Sequence, residues 1–154
     1  MAGKRRRGRL GRALRGGALV GAASLSACVM TRPARTRALT PPSDLAVRAV
    51  SFESSSGATI RAWFLRGVSG RGSVLLLHGV GSNRSSMVSR ARFLHRQGYS
   101  VLLPDFQAHG ESTGEFITFG SRESLDAAAA LAYLRQCAPD ERVAVIGVSM
   151  GGAA

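Results

Sequence analysis

The sequence predicts an α/β fold in which a mostly parallel sheet carries helices on both faces. Two unbroken apolar runs, 73–77 and 143–146, are typical of strands that are buried on both faces, and a third strand-like segment, 99–103, lies between them. Helical patterns separate these three segments, which gives a β-α-β-α-β order from residue 73 onwards. Crossovers of this length require parallel strands with right-handed connections.

An antiparallel hairpin is predicted ahead of this unit. Apolar residues at near-alternate positions indicate strands in segments 45–52 and 59–66, and the serine-rich segment 54–57 between them is typical of a turn. The predicted domain therefore covers residues 45–154.

Two connecting helices are predicted from the spacing of their apolar residues. Met87, Ala91 and Leu94 share one face of the first helix, and Gly98 is suited to a left-handed position at its end. The second helix, which Pro139 and Asp140 end, is apolar almost all round, which predicts burial between the sheet and neighbouring elements. Ser121 is suited to cap its start.

The last strand runs directly into Gly147-Val148-Ser149-Met150-Gly151-Gly152. This G-x-S-x-G pattern predicts a strand-to-helix turn that holds Ser149 in a strained backbone conformation at the carboxyl edge of the sheet. We expect Gly147 and Gly151 to lie where a Cβ would collide across the turn, and Gly152 to let the helix approach the sheet. Free N–H groups at the helix start favour negative charge, so the turn is suited to a nucleophile.

Two other loops follow predicted strands. His78-Gly79-Val80-Gly81-Ser82-Asn83 comes after the strand at 73–77, and Asp105 with His109-Gly110-Glu111-Ser112 comes after the strand at 99–103. Gly79 and Gly81 should let the backbone turn sharply, so that amides such as that of Val80 point into a cleft. Asp105 is interpreted as a carboxylate that accepts hydrogen bonds from the N–H groups of its turn.

These three motifs resemble the α/β-hydrolase superfamily, and in particular its serine-aminopeptidase-like and monoacylglycerol-lipase-like esterases, over about residues 45–154. The resemblance implies a serine hydrolase that transfers acyl groups through Ser149, the nucleophile. It places the N–H groups of Val80 and Met150 in the oxyanion hole. It implies a small-molecule ester, amide or other acyl substrate, and neither cofactor nor metal.

The histidines do not fit the role of the base. In this superfamily the triad order is Ser, then Asp or Glu, then His, whereas His78, His95 and His109 all precede Ser149. His78 is therefore expected to shape the oxyanion loop, His109 the loop after the next strand, and His95 to lie at the surface. We accordingly expect a hydrolase domain that is truncated after the nucleophile turn and inactive alone; the alternative is a non-catalytic partial α/β scaffold or binding fragment.

Positive charge is concentrated near the N-terminus. Ten of the 21 lysines and arginines, and none of the nine acids, lie in residues 1–37, and the formal net charge of the whole chain is +12. The remaining residues are nearly balanced, so the charge does not indicate a nucleic-acid-binding protein.

The basic segment is followed by an uncharged stretch that is too short to span a membrane comfortably, since a spanning helix needs about 20 apolar residues. This stretch contains Leu25-Ser26-Ala27-Cys28, which resembles the lipobox of bacterial lipoproteins. We predict a signal peptide over 1–28, lipidation of Cys28, and a tether over 29–44 in an exported protein held at the membrane by its lipid. The alternatives are secretion or anchoring by an uncleaved N-terminal segment.

Overall fold

The computed structural model describes residues 30–36 and 39–154. The chain divides after Arg32, and Pro33–Ala154 form a compact unit. The predictions for residues 1–28, including Cys28, lie outside the described residues. The strands are β1 (Ala34–Arg35), β2 (Arg48–Glu53), β3 (Thr59–Leu65), β4 (Ser73–Leu77), β5 (Ser100–Pro104), β6 (His109–Gly110) and β7 (Val143–Gly147). The helices are α1 (Val88–Arg96), α2 (Glu123–Cys137) and α3 (Met150–Ala153), and a 3-10 turn, Arg84–Met87, precedes α1.

Five strands form a mixed sheet in the order β2-β3-β5-β4-β7. Strand β4 pairs in parallel with β5 on one side and β7 on the other, with Ser73 opposite Ser100 and Val143. The predicted hairpin is present as β2 and β3, and β3 also runs antiparallel to β5. The predicted α/β fold, with a β-α-β-α-β unit from residue 73, is confirmed.

Alternation of side chains divides the core between the two faces of this sheet. Leu75 and Leu77 of β4 lie in one apolar cluster, to which α2 contributes Leu134. Leu76 lies in a second cluster with Ala91 of α1. Because successive residues of a strand point to opposite faces, α1 and α2 cover opposite sides of the sheet. The predicted helices on both faces are confirmed.

Gly98 follows Gln97, the C-cap residue of α1, and has a φ of +91°, as predicted. The prediction for α2 was wrong in two respects. The helix buries one face, whereas Leu125 is 39% exposed. Ser121 does not cap it: the N-cap residue is Arg122, which makes no side-chain capping hydrogen bond. The Glu123 carboxylate accepts the N–H groups of Thr118 and Gly120, ahead of the helix, at 2.9 and 2.8 Å. Because Thr118 and Gly120 precede the helix, this carboxylate fixes the chain that leads into α2 and does not cap its free N–H groups.

Strand β7 is not the buried strand that its apolar sequence predicted. It lies at the edge of the sheet and pairs with β4 alone among the described strands. Val145 is consequently 53% exposed and Ile146 39% exposed. An apolar run establishes that a strand forms, but the neighbouring elements decide whether it is covered.

The compact unit begins earlier than the predicted boundary at residue 45. Strand β1 pairs in parallel with β6, so that Ala34 lies opposite His109. Leu39 packs against the α1 side of the core, and Asp44 forms an ion pair with Arg92 at 2.6 Å. The described residues from 33 to 44 therefore lie against the domain. Within the described part of the chain, no helix is both long and apolar enough to cross a membrane.

We predict that Leu76→Ala lowers the free energy of unfolding by about 2–5 kcal/mol, because the side chain is fully buried and the substitution leaves a cavity. The matched control is Leu125→Ala, on the exposed side of α2, which should change that free energy by less than about 0.5 kcal/mol. Denaturant unfolding of both variants measures the difference. Equal effects would contradict the division between covered and uncovered faces.

Candidate active site

Ser149 lies in a turn between β7 and α3 with a backbone conformation that is rare for a residue with a side chain. Its φ is 52° and its ψ is −116°, the strained conformation predicted from the sequence. Ser149 is exposed, and its hydroxyl group forms no hydrogen bond with the described residues. Strain of this kind persists when the surrounding structure enforces it, and it is frequent at functional sites.

The surroundings enforce the turn through two glycines. A Cβ built on Gly147 would lie 2.6 Å from the backbone nitrogen of Gly152, and one built on Gly151 would lie 2.6 Å from the carbonyl oxygen of Leu77. Neither position has room for a methyl group. The close approach expected at Gly152 is absent, since a Cβ there would lie at an ordinary 3.6 Å from its nearest neighbour.

The loop after β4 lies beside this turn. A Cβ built on Gly79 would lie 3.5 Å from the Cβ of Ser149, and Gly81 has a φ of +67°. The backbone N–H groups of Val80 and Met150 donate no hydrogen bond to any residue in the described ranges. Val80 follows Gly79 and Met150 follows Ser149, so the two residues next to this contact both have amides without an acceptor, as the donors of an oxyanion hole require.

His78 is fully buried at the start of this loop. Its Nε2 accepts a hydrogen bond from the N–H of Phe106 at 3.1 Å, so the proton of the neutral ring lies on Nδ1, which contacts the carbonyl oxygen of Gly79 at 2.8 Å. Burial lowers the pKa of His78 to about 4. The neutral ring therefore connects the loop after β4 with the loop after β5.

His109 also connects the loop after β5 with the loop after β4. Its Nε2 accepts the N–H of Gly81 at 3.2 Å, and its Nδ1 contacts the carbonyl oxygen of Gln107 at 2.8 Å. The centroid of its ring is 5.2 Å from that of His78. Because both nitrogens of each ring are engaged, neither histidine has a free nitrogen for the Ser149 hydroxyl.

Asp105 accepts one hydrogen bond from its own loop, as predicted, and a second from the 3-10 turn that precedes α1. Its carboxylate accepts the N–H of Arg84 at 2.7 Å and that of Glu111 at 2.8 Å. Sequence reasoning missed the buried Arg84. Its guanidinium forms ion pairs with both carboxylates and lies 4.6 Å from the ring centroid of Trp63. An arginine is expected to be exposed from sequence alone, and Arg84 is buried because the fold brings distant partners around it.

Burial and charge act in opposite directions on the two carboxylates of this network. Burial raises the pKa of Asp105, while the N–H and guanidinium of Arg84 oppose that rise. Burial would also raise the pKa of Glu111, but the hydrogen bond from Arg84 and the N–H of Leu39 bring it below its usual value. Among the described residues, no group of three His, Cys, Asp or Glu side chains could hold a metal ion.

Comparisons with known proteins show the family and the fold of this chain. The family described as serine aminopeptidase, S33, matches residues 69–154. The esterase Pf2001 of Pyrococcus furiosus is 32% identical to this chain with a TM-score of 0.71, over 79% of this chain and 50% of that one. A comparison with curated proteins finds no match.

More distant structures share the fold. A protein of unknown function from Agrobacterium tumefaciens is 24% identical, with a TM-score of 0.60, over 68% of this chain and 50% of that one. A serine hydrolase without a lid from Xanthomonas campestris is 18% identical, with a TM-score of 0.57, over 74% and 55% of the two chains. This chain thus spans about half the length of these structures. With the family match over residues 69–154, the chain belongs to the serine aminopeptidase S33 family of the α/β hydrolases.

Proposed function

We propose that this chain carries the nucleophile and the oxyanion hole of a serine hydrolase that cleaves esters or related acyl compounds. The observation that carries the proposal is the strained, exposed Ser149, whose hydroxyl has no partner among the described residues. Its position between a strand and a helix is that of a nucleophile in this fold. The 32% identity to an esterase supports an ester as the substrate class.

In the proposed reaction, the hydroxyl oxygen of Ser149 attacks the acyl carbon and forms a tetrahedral intermediate. The N–H groups of Val80 and Met150 would donate hydrogen bonds to the oxygen that becomes negative. Each such donor is worth about 3 kcal/mol of barrier in comparable sites. The leaving alcohol departs with a proton, and water then hydrolyses the acyl-enzyme.

Deprotonation of Ser149 requires a base within hydrogen-bond distance. His78 and His109 both use their ring nitrogens elsewhere. In α/β hydrolases the acid and the histidine follow the serine in the chain. We therefore propose that both groups come from sequence that follows residue 154, and that residues 1–154 alone have little activity.

We predict that a fluorophosphonate probe labels Ser149 in a protein that includes the following acid and histidine, and that Ser149→Ala abolishes the labelling. Ester hydrolysis should fall by about 10⁴-fold or more, because the acyl-enzyme cannot form. The matched control is Ser89→Ala, at an exposed position of α1. Gel fluorescence and a colorimetric ester assay measure both effects.

Labelling by residues 1–154 alone should be at least tenfold slower, since loss of the base removes most of the catalysis. Rapid labelling of the short chain would show that a described histidine acts as base. No labelling of the longer protein would favour a non-catalytic scaffold.

We predict that stability depends on pH through His78, because its pKa is about 4 in the folded protein against 6.5 for the ordinary side chain. Between these values the unfolded chain binds more protons, so the contribution of His78 to stability is complete above pH 6.5 and is lost as the pH falls towards 4. The loss amounts to about 3 kcal/mol. His78→Gln keeps an acceptor for the N–H of Phe106 but does not titrate, so its stability should fall less.

Urea unfolding of both proteins at several values between pH 7 and pH 4 tests this prediction. Parallel pH profiles for the unsubstituted protein and the variant would show that His78 is protonated at its ordinary pKa, and would contradict its role as a neutral connector.

We also propose that Cys28 is lipidated and anchors the protein to a membrane. The support is Leu25-Ser26-Ala27-Cys28 behind a basic segment. Intact-mass analysis of the protein expressed in a bacterium should give a mass that begins at Cys28 and includes acyl chains. Cys28→Ser should leave the protein without acyl chains. A mass that begins at Met1, or cleavage at another position, would contradict the proposal.

A further inference from the structure

The loop that carries Val80 is held at both ends by side chains and backbone of the loop after β5. At one end, His78 accepts the N–H of Phe106. At the other, His109 accepts the N–H of Gly81, and Asp105 accepts that of Arg84. Val80 itself is 41% exposed and has no hydrogen bond within the described ranges. The orientation of its peptide therefore depends on the anchors on either side.

The two histidines hold the two peptides of Val80: His78 contacts the carbonyl oxygen of Gly79, in the peptide before Val80, and His109 contacts the peptide after it. The acceptor nitrogen of His109 holds the N–H of Gly81, a residue with positive φ and no atom within 4 Å of a built Cβ. A glycine in open space would otherwise sample many conformations. The hydrogen bond from His109 restricts this freedom at the peptide that follows Val80.

The ring of His109 is itself fixed from several sides. It is fully buried, and Nδ1 is engaged by the carbonyl oxygen of Gln107. Ala108, directly before it, has a φ of 57°, a strained value for a residue with a Cβ. Strand β1 pairs with this segment through the N–H groups of Ala34 and Thr36, which donate to the carbonyl oxygens of Ala108 and Gly110 at 2.7 Å.

We propose that His109 is a positioning residue: by holding the N–H of Gly81, it keeps the N–H of Val80 directed towards the oxygen of a substrate on Ser149. The proposal rests on the proposed function, in which Val80 is an oxyanion donor. In this role the Nε2 of His109 accepts a hydrogen bond from the backbone and takes no proton from Ser149. The loop that His109 holds lies next to the nucleophile, since Gly79 of this loop is beside the Cβ of Ser149.

Two substitutions separate the two functions of the ring. His109→Asn keeps a donor near the position of Nδ1 but is too short to accept the N–H of Gly81. His109→Gln places an amide oxygen near the position of Nε2 and can accept it. The measurements are the hydrogen exchange of the Gly81 amide by NMR and the kinetics of fluorophosphonate labelling of Ser149, in the protein that includes the acid and histidine of the triad. Ser89→Ala is the control for substitution at an exposed site.

We expect His109→Asn to accelerate hydrogen exchange of the Gly81 amide. It should also lower the maximal labelling rate by about 10- to 100-fold, somewhat less than deletion of an oxyanion donor does. The probe concentration that gives half the maximal rate should change little. His109→Gln should restore most of both quantities. The proposal would be overturned if His109→Asn left either the exchange rate of the Gly81 amide or the maximal labelling rate unchanged. An equal loss of labelling rate in His109→Asn and His109→Gln would also overturn it. Absence of labelling in the unsubstituted protein would instead contradict the proposed function, while the exchange data still report on the Gly81 contact.

Discussion

The contact between α3 and the end of β4 has no room for a side chain, and the geometry of the candidate site depends on it. A Cβ on Gly151 would lie 2.6 Å from the carbonyl oxygen of Leu77. This approach brings the turn at Ser149 against the loop after β4, because that loop begins at the next residue, His78. The positive φ of Ser149 is then a consequence of connecting β7 to α3 at this distance.

Polar groups buried behind the loops keep this arrangement in one conformation. The Arg84 guanidinium pairs with Asp105 and Glu111, and the Asp105 carboxylate also accepts two backbone N–H groups. His78 and His109 add hydrogen bonds between the same two loops. Buried polar groups are costly unless they are paired, so this network favours one relative position of the loops over others.

The sequence predicted the parts of the fold that have local signals. Unbroken apolar runs identified β4 and β7, and the glycines at 147 and 151 identified the turn at Ser149. It could not show that β7 is uncovered, because exposure depends on which elements lie alongside. It could not find β1 either, since a strand of two residues that pairs with β6 has no periodic pattern. The burial of Arg84 likewise depends on distant partners.

The most direct test of this account is a crystal structure of the longer protein after reaction with a phosphonate ester. We predict a phosphorus atom bonded to the Oγ of Ser149, with the phosphoryl oxygen about 2.7–3.1 Å from the nitrogens of both Val80 and Met150. A phosphoryl oxygen that points away from these two amides, or an adduct on a residue other than Ser149, would contradict the account.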